Sequence, residues 1–267
     1  MLKALILDWA GTVVDHGSRA PMGAFVRAFA EFGVTISIAD ARGPMGMAKL
    51  DHIRAVGRAV NAAWRARHGH DFSEADADAI FAVFEPMNVA AIKDHADIIP
   101  GALEALADAR ARGLLIGSTT GYTHPIMAEL APIAAAAGYA PAVTVCAGDL
   151  KEGRPSPLMM WHAMATLGVW PAETVVKVDD TPPGIGEGVN AGTWTIGLAL
   201  TGNIAGLSAE ELAALPEADR AAIRARATAE MRAAGADMVI DSIATLPAAL
   251  DAIEAKLAAG EKPGRRS

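Results

Sequence analysis

The chain is short of several things, and each absence removes a class of function. It has one cysteine, Cys146, in 267 residues, so no intrachain disulfide can form, and this usage fits a reducing cytoplasm. It has no apolar run near the ~18 residues that a membrane-spanning helix needs. No basic run occurs except the short tail Lys262-Pro263-Gly264-Arg265-Arg266, and the net charge is −8. A nucleic-acid partner is therefore not expected. The amino terminus opens on a strand-like segment, not on a charged region followed by a long apolar one, so no signal peptide is expected. No internal repeat is found. What remains is a globular composition, 52% hydrophobic and 20% charged. Its length suits one large domain or a domain with an insert.

Six short aliphatic or β-branched runs read as buried strands: 4–8, 114–119, 142–147, 175–180, 193–200 and 237–241. Helical patterns at 101–112, 123–137, 156–168, 184–191 and 245–259 alternate with most of them. That alternation predicts a parallel sheet wrapped by helices. Asn190-Ala191-Gly192 reads as a helix end, with glycine in the left-handed cap position. One stretch breaks the rhythm. From Pro21 to about His95 there are helical patterns and no strand, with Phe25, Phe29 and Phe32 at helical spacing and further helices over 45–67 and 74–94. The segments 16–19 and 98–101 flank this module as a two-stranded hinge. Segment 202–235 is helical by pattern without an assigned function, and 260–267 is expected to lack order.

Ligands of open α/β sheets bind at the carboxyl ends of strands. Four strand ends here carry suitable groups. The first is Asp8-Trp9-Ala10-Gly11-Thr12, a carboxylate at the tip of a buried strand followed by a sharp turn. The second is Gly117-Ser118-Thr119-Thr120-Gly121-Tyr122, hydroxyls and N–H groups before a helix, which suit an anion. The third is Lys151-Glu152-Gly153-Arg154-Pro155, with Pro155 at a helix start and both cations facing the crevice. The fourth is Asp179-Asp180-Thr181, suited to a hard divalent cation. Singly, each has an ordinary explanation as a helix cap or a solvated surface group. Their order along the chain (acid, hydroxyl, base, acid) argues for a site. Position 10 is the oddity. Enzymes that cleave phosphate esters with a strand-end Asp usually carry a second Asp two residues on, which protonates the leaving oxygen. Here that residue is Ala10.

This motif set resembles the haloacid dehalogenase superfamily. The resemblance implies an α/β fold with a Rossmannoid parallel-sheet core at 1–19 and 99–267 and an inserted α-helical cap at 20–98. It also implies a Mg²⁺ ion held by Asp8, the Ala10 carbonyl and Asp180. More narrowly, Asp8–Thr12, the segment 44–52 with Lys49, the 117–122 turn, Gly153-Arg154-Pro155 and 190–194 are similar to the phosphonoacetaldehyde hydrolase family. That likeness spans nearly the whole chain and implies a small phosphonate substrate in 2-aminoethylphosphonate degradation, and a homodimer. Many relatives place another carboxylate four residues after the Asp matching Asp180. This chain has Gly184 there, so either Asp179 compensates or water completes the metal shell.

The chemistry connects the two oddities. Cleaving a carbon–phosphorus bond leaves a carbanion, which an acid beside the phosphoryl group does not help. A lysine imine on the carbon side accepts those electrons instead. Lys49 would supply it, in the role that Ala10 cannot fill, and Asp8 would attack phosphorus. Thr120, the Gly121 N–H and Arg154 would orient the phosphoryl group. Lys49 must be neutral to react, so its pKa should be lowered by Arg154, Mg²⁺ and burial under the cap. Met45, Lys49 and His52 are expected on one helix face. His52 either shuttles protons or lies on the helix surface. Met45 is a core residue or part of the cap–core seam, and Tyr122 lines the site or packs under the cap. Trp9 and Cys146 are read as structural. Two other functions remain open: a phosphomonoesterase of the same superfamily, which Ala10 argues against, and a catalytically silent phosphate-binding protein, which Asp8, Arg154 and Asp180 argue against.

Overall fold

A computed structural model describes residues 1–264; the last three positions of the 260–267 tail lie outside the described residues. Six strands, β1 (Ala4–Leu7), β2 (Leu115–Thr119), β3 (Val143–Val145), β4 (Val175–Asp179), β5 (Trp194–Leu198) and β6 (Met238–Ile240), form one sheet in the order β3-β2-β1-β4-β5-β6. Every pairing is parallel. β1 is buried along its whole length, which its apolar run Ala-Leu-Ile-Leu requires of a central parallel strand. Each strand expected from the sequence is present, one to three residues shorter at its ends.

The insert consists of α1 (Ala20–Glu31), α2 (Ile38–Arg42), α3 (Lys49–Ala59), α4 (Asn61–His68) and α5 (Glu74–Ile92). Serine capping boxes start two of these, Ser37 with Asp40 and Ser73 with Asp76. The insert has its own apolar cluster, with Phe25, Phe29, Ile53, Trp64, Ile80 and Phe84 at its centre. Its two crossings to the sheet are paired with each other: Val14 bridges Ile98 antiparallel, and the Ile99 N–H donates to the Val13 carbonyl at 2.8 Å.

The remaining helices are α6 (Ala102–Ala111), α7 (His124–Ala136), α8 (Leu158–Leu167), α9 (Pro182–Ala191), α10 (Ala209–Ala214), α11 (Glu217–Ala233) and α12 (Leu246–Ala258). Side chains alternate faces along a strand. Leu5 and Leu7 therefore join the cluster with α6, α7 and α12, while Ala4 and Ile6 join that with α8. Helix α9 ends on Gly192 in the left-handed conformation, as its sequence foretold. Among the described residues no helix is long and apolar enough to cross a membrane.

Three local readings need correction. The helix expected over 45–67 is two helices, and Met45 lies in the turn before the first. Gly46 has φ +94°, a left-handed value that interrupts a helix there. Pro155 does not start a helix, since α8 begins three residues later. Lys151 is exposed and opens onto a surface groove away from Asp8.

Candidate active site

β1 stands between β2 and β4, with Leu7 paired to Ser118 on one side and Val178 on the other. This register brings the ends of three strands to one level: Asp8, Thr119–Thr120 and Asp179–Asp180. β1 and β4 are also where the connections change direction, the usual crevice of such sheets. Gly11 lets the chain turn closely over them. Its φ is +78°, and a Cβ there would strike the Asp180 carboxylate.

A pocket of about 280 Å³, counting its open mouth, lies at this level. Asp8, Ala10, Thr120 and Arg154 line it from the sheet side, with Met45 and Lys49 opposite. Gly121 and Tyr122 also reach it. The expected residues thus converge, except that His52 and Asp180 lie behind the wall. The insert's turn is pressed against the sheet loops. A Cβ on Gly121 would lie 2.7 Å from the Met47 carbonyl, and one on Gly46 would strike Thr181.

Lys49 is 3% exposed. Its Nζ is 3.8 Å from Met45 Sδ and 4.9 Å from the centre of the Tyr122 ring. Met45 and Tyr122 therefore wall the amine with apolar surface. The Lys49 pKa is lowered to about 8. Burial is the main cause, Asp8 opposes it, and Arg154 adds to it. The direction is the expected one, but burial outweighs the neighbouring cation.

His52 is not a surface residue. It is fully buried, stacked on Phe25 with centroids 3.9 Å apart. Its Nε2 lies 2.7 Å from the Ala41 carbonyl, which can only accept, so that nitrogen carries the proton. Nδ1 has no hydrogen-bond partner among the described residues. Burial, with Lys49 adding, holds the pKa down at about 3, so the ring stays neutral.

Behind Asp8 lies a charge network that the motifs did not reveal. Arg154 Nη2 is 2.8 Å from Asp8 Oδ1, Nη1 is 3.4 Å from Asp179 Oδ2, and Nε is 3.1 Å from Glu187 Oε2. Lys177 Nζ lies 3.1 Å from both Asp179 and Glu187 and donates to Thr119 Oγ1 at 2.7 Å. The Thr119 hydroxyl in turn donates to Glu187. A lysine inside the otherwise apolar, buried strand Val-Val-Lys-Val is a sequence signal for such a partner. Glu187, on an otherwise apolar turn of α9, gives the same signal. Thr181, from the fourth motif, and Ser18, from the flanking segment 16–19, also line the pocket.

Asp180 differs from its neighbours. It accepts from the Asn203 N–H at 2.7 Å and the Thr12 hydroxyl at 3.4 Å, both neutral, and has no ion pair among the described residues. Burial, then Asp8 and Asp179, pushes its pKa well up. Burial also raises Asp8, against Arg154. Asp8, Asp179, Asp180 and Glu187 are four buried carboxyl groups clustered with the basic side chains of Arg154 and Lys177. Oxygens of Asp8, Asp179 and Asp180 lie within 4.8 Å of one another. The donor set therefore fits one hard divalent cation. Asp180 is the carboxyl group most open to such a cation, because Lys177 and Arg154 face Asp179 instead.

Arg42, on α2, crosses to the loop that serves Asp180. Its guanidinium donates to the carbonyls of Gly17, Asn203 and Gly206 and to Asn203 Oδ1, at 2.9–3.1 Å. Arg42→Ala removes all four bonds. The expected result is faster hydrogen exchange at the amides of 202–206, with amides in the sheet unchanged; unchanged exchange at Asn203 would show that the loop holds itself.

The sequence profile of the haloacid dehalogenase-like hydrolases matches residues 2–192. A phosphonoacetaldehyde hydrolase of Paraburkholderia phytofirmans is 50% identical over 264 residues, covering 98% of this chain and 99% of that one. One from Aeromonas hydrophila is 48% identical, covering 98% and 95%. The chain belongs to the phosphonoacetaldehyde hydrolase family. Within that family, a phosphonoacetaldehyde hydrolase-like protein of Oleispira antarctica superposes with TM-score 0.96 at 39% identity, covering 98% of this chain and 96% of that one. A β-phosphoglucomutase from Clostridium difficile, 17% identical with TM-score 0.69, covers 97% and 100% and shares the fold alone. Family membership accords with the α/β core and with the Ala10 methyl at the pocket wall.

Proposed function

We propose that this protein hydrolyses the carbon–phosphorus bond of phosphonoacetaldehyde, giving acetaldehyde and phosphate. The observation that carries the reading is the buried, cation-shy Lys49 in one pocket with Asp8 and Arg154, where Ala10 offers no acid.

The neutral Lys49 amine condenses with the aldehyde, releasing water and leaving a protonated imine. Asp8 attacks phosphorus while the carbon–phosphorus electrons move into the imine, which becomes a neutral enamine. One water hydrolyses the aspartyl-phosphate. The enamine takes a proton on carbon, and a second water releases acetaldehyde and restores Lys49. Arg154, the Thr120 hydroxyl and the Gly121 N–H orient the phosphoryl oxygens. Met45 and Tyr122 keep water from the amine, and the neutral His52, behind the pocket wall, braces the Lys49 helix by stacking on Phe25. Mg²⁺, held by Asp8, the Ala10 carbonyl and Asp180, would lower the repulsion between the Asp8 carboxylate and the phosphoryl group. As part of the same proposal the protein is a cytoplasmic homodimer acting in 2-aminoethylphosphonate degradation. No observation favours a phosphomonoesterase, since a methyl group faces the place of the acid.

The test is borohydride reduction in the presence of phosphonoacetaldehyde, with the adduct mapped by mass spectrometry. Lys49 should carry it, and the trapping rate should rise with pH through about 8, because the reacting amine is the deprotonated one. Turnover with no adduct at Lys49 refutes the imine route.

A further inference from the structure

A second group of metal-binding side chains lies outside the pocket. One ring nitrogen of His124, the Cys146 Sγ and one carboxylate oxygen of Asp149 lie within 4.8 Å of one another. His124 opens α7, Cys146 follows the last residue of β3, and Asp149 stands in the loop beyond. Gly148, at φ +98°, folds that loop back. Asp149 Oδ2 then accepts from the Cys146 N–H at 2.8 Å, and Oδ1 lies 2.5 Å from His124 Nε2.

A surface ion pair would account for His124 and Asp149, whose side chains are 70% and 26% exposed. It does not account for the thiol. Cys146 is 3% exposed, and its Sγ takes part in no hydrogen bond among the described residues. A cysteine that only filled space would need no imidazole and no carboxylate beside its sulfur. Thiolate, imidazole and carboxylate together suit a borderline cation such as Zn²⁺, whereas the all-oxygen cluster at Asp8 suits a hard one. Tetrahedral ligation sets a nitrogen and an oxygen about 3.3 Å apart. His124 and Asp149 would therefore part by less than about 1 Å, and the exposed imidazole is free to make that move.

We propose that His124, Cys146 and Asp149 form a second metal site, for one cation of the zinc class, which pins the loop after β3 to the start of α7. The thiol proton leaves to solvent as Sγ binds, and the neutral imidazole keeps its one proton on the nitrogen that does not bind. Water completes the shell on the exposed side. The pinned loop borders the pocket: the Ala147 N–H donates to the Tyr122 carbonyl at 3.0 Å, and the chain runs on from there to Arg154.

The experiment titrates Co²⁺, a coloured stand-in for Zn²⁺, into the reduced protein in excess Mg²⁺, so that hard-ligand sites are filled first. A thiolate-to-cobalt charge-transfer band should appear in the near ultraviolet, saturate at one equivalent and disappear when Zn²⁺ is added. Cys146 is the single cysteine, so no other residue can supply the sulfur. Cys146→Ser should lose the band. His124→Ala, at an exposed position that puts little of the fold at stake, should weaken Co²⁺ binding by about 10-fold or more. Bound Zn²⁺ should slow hydrogen exchange at the Ala147 and Asp149 amides of the parent but not of Cys146→Ser. No charge-transfer band, or His124→Ala with the parent's affinity, overturns the site, and exchange that Zn²⁺ leaves unaltered in the parent overturns the pinning. None of these readouts uses turnover, so failure of the proposed reaction would leave them all as they stand.

Discussion

Asp8→Asn is expected to abolish phosphate release while leaving the borohydride adduct at Lys49 intact. The two half-reactions proposed above would use side chains from different modules, so they should separate. An amide oxygen is a poor nucleophile toward phosphorus, and losses of about 10⁴-fold or more in kcat are usual when a nucleophile is removed. Imine formation needs only the amine and the aldehyde. It should survive, and the blocked imine should accumulate. The fold should tolerate the change. Arg154 keeps Asp179, Glu187 and the Thr119 carbonyl as partners. Removing the Asp8 charge also relieves Asp180, whose pKa it helps to raise. The measurements are phosphate release and intact-mass analysis on the same sample. Phosphate release near the parent rate would remove Asp8 from the mechanism, and loss of the adduct as well would mean that both steps depend on one group.

Lys49→Met should be inactive and more stable than the parent at neutral pH. Methionine keeps the length and apolar stem of lysine, and the surrounding Met45, Tyr122 and Phe25 suit it. The sign follows from linkage. The folded pKa of about 8 lies below the ordinary lysine value of 10.5, so the unfolded chain holds the proton more tightly. The parent therefore gains stability as pH rises from about 8 to about 10.5, by at most about 3 kcal/mol. Lys49→Met lacks that dependence. Its Tm advantage should be full below pH 8 and should shrink toward pH 10.5. Loss of turnover should reach about 10⁴-fold, as for any covalent catalyst removed. Equal Tm curves for the two proteins across this range would show that Lys49 is not held in a hostile site.

Much of this was readable in the chain. The apolar runs located all six strands because strands buried on both faces tolerate little else. Asp8 and the 117–122 turn at the pocket are readable because strand-end positions follow from the strand itself. The network around Arg154 was not. Its members come from β2, β4, α9 and the loop before α8, and only the fold brings those charges within 2.8–3.4 Å of one another. Gly184 read as a missing ligand because spacing alone cannot show that a neighbouring side chain fills its room. Met45 reads as helical from its spacing to Lys49, although one left-handed glycine lies between them. The depth of His52 is not legible in sequence because burial of a helix face depends on which helices cover it.

The bridge from Arg42 through Asn203 to Asp180 has a thermodynamic corollary. The helical insert and the carboxylate cluster share one short loop, so the free energy of seating the insert and that of filling the cluster are not independent. Coupling of this kind is reciprocal. Whatever cation steadies Asp180 also favours the seated insert, and the seated insert raises the affinity for that cation by the same factor.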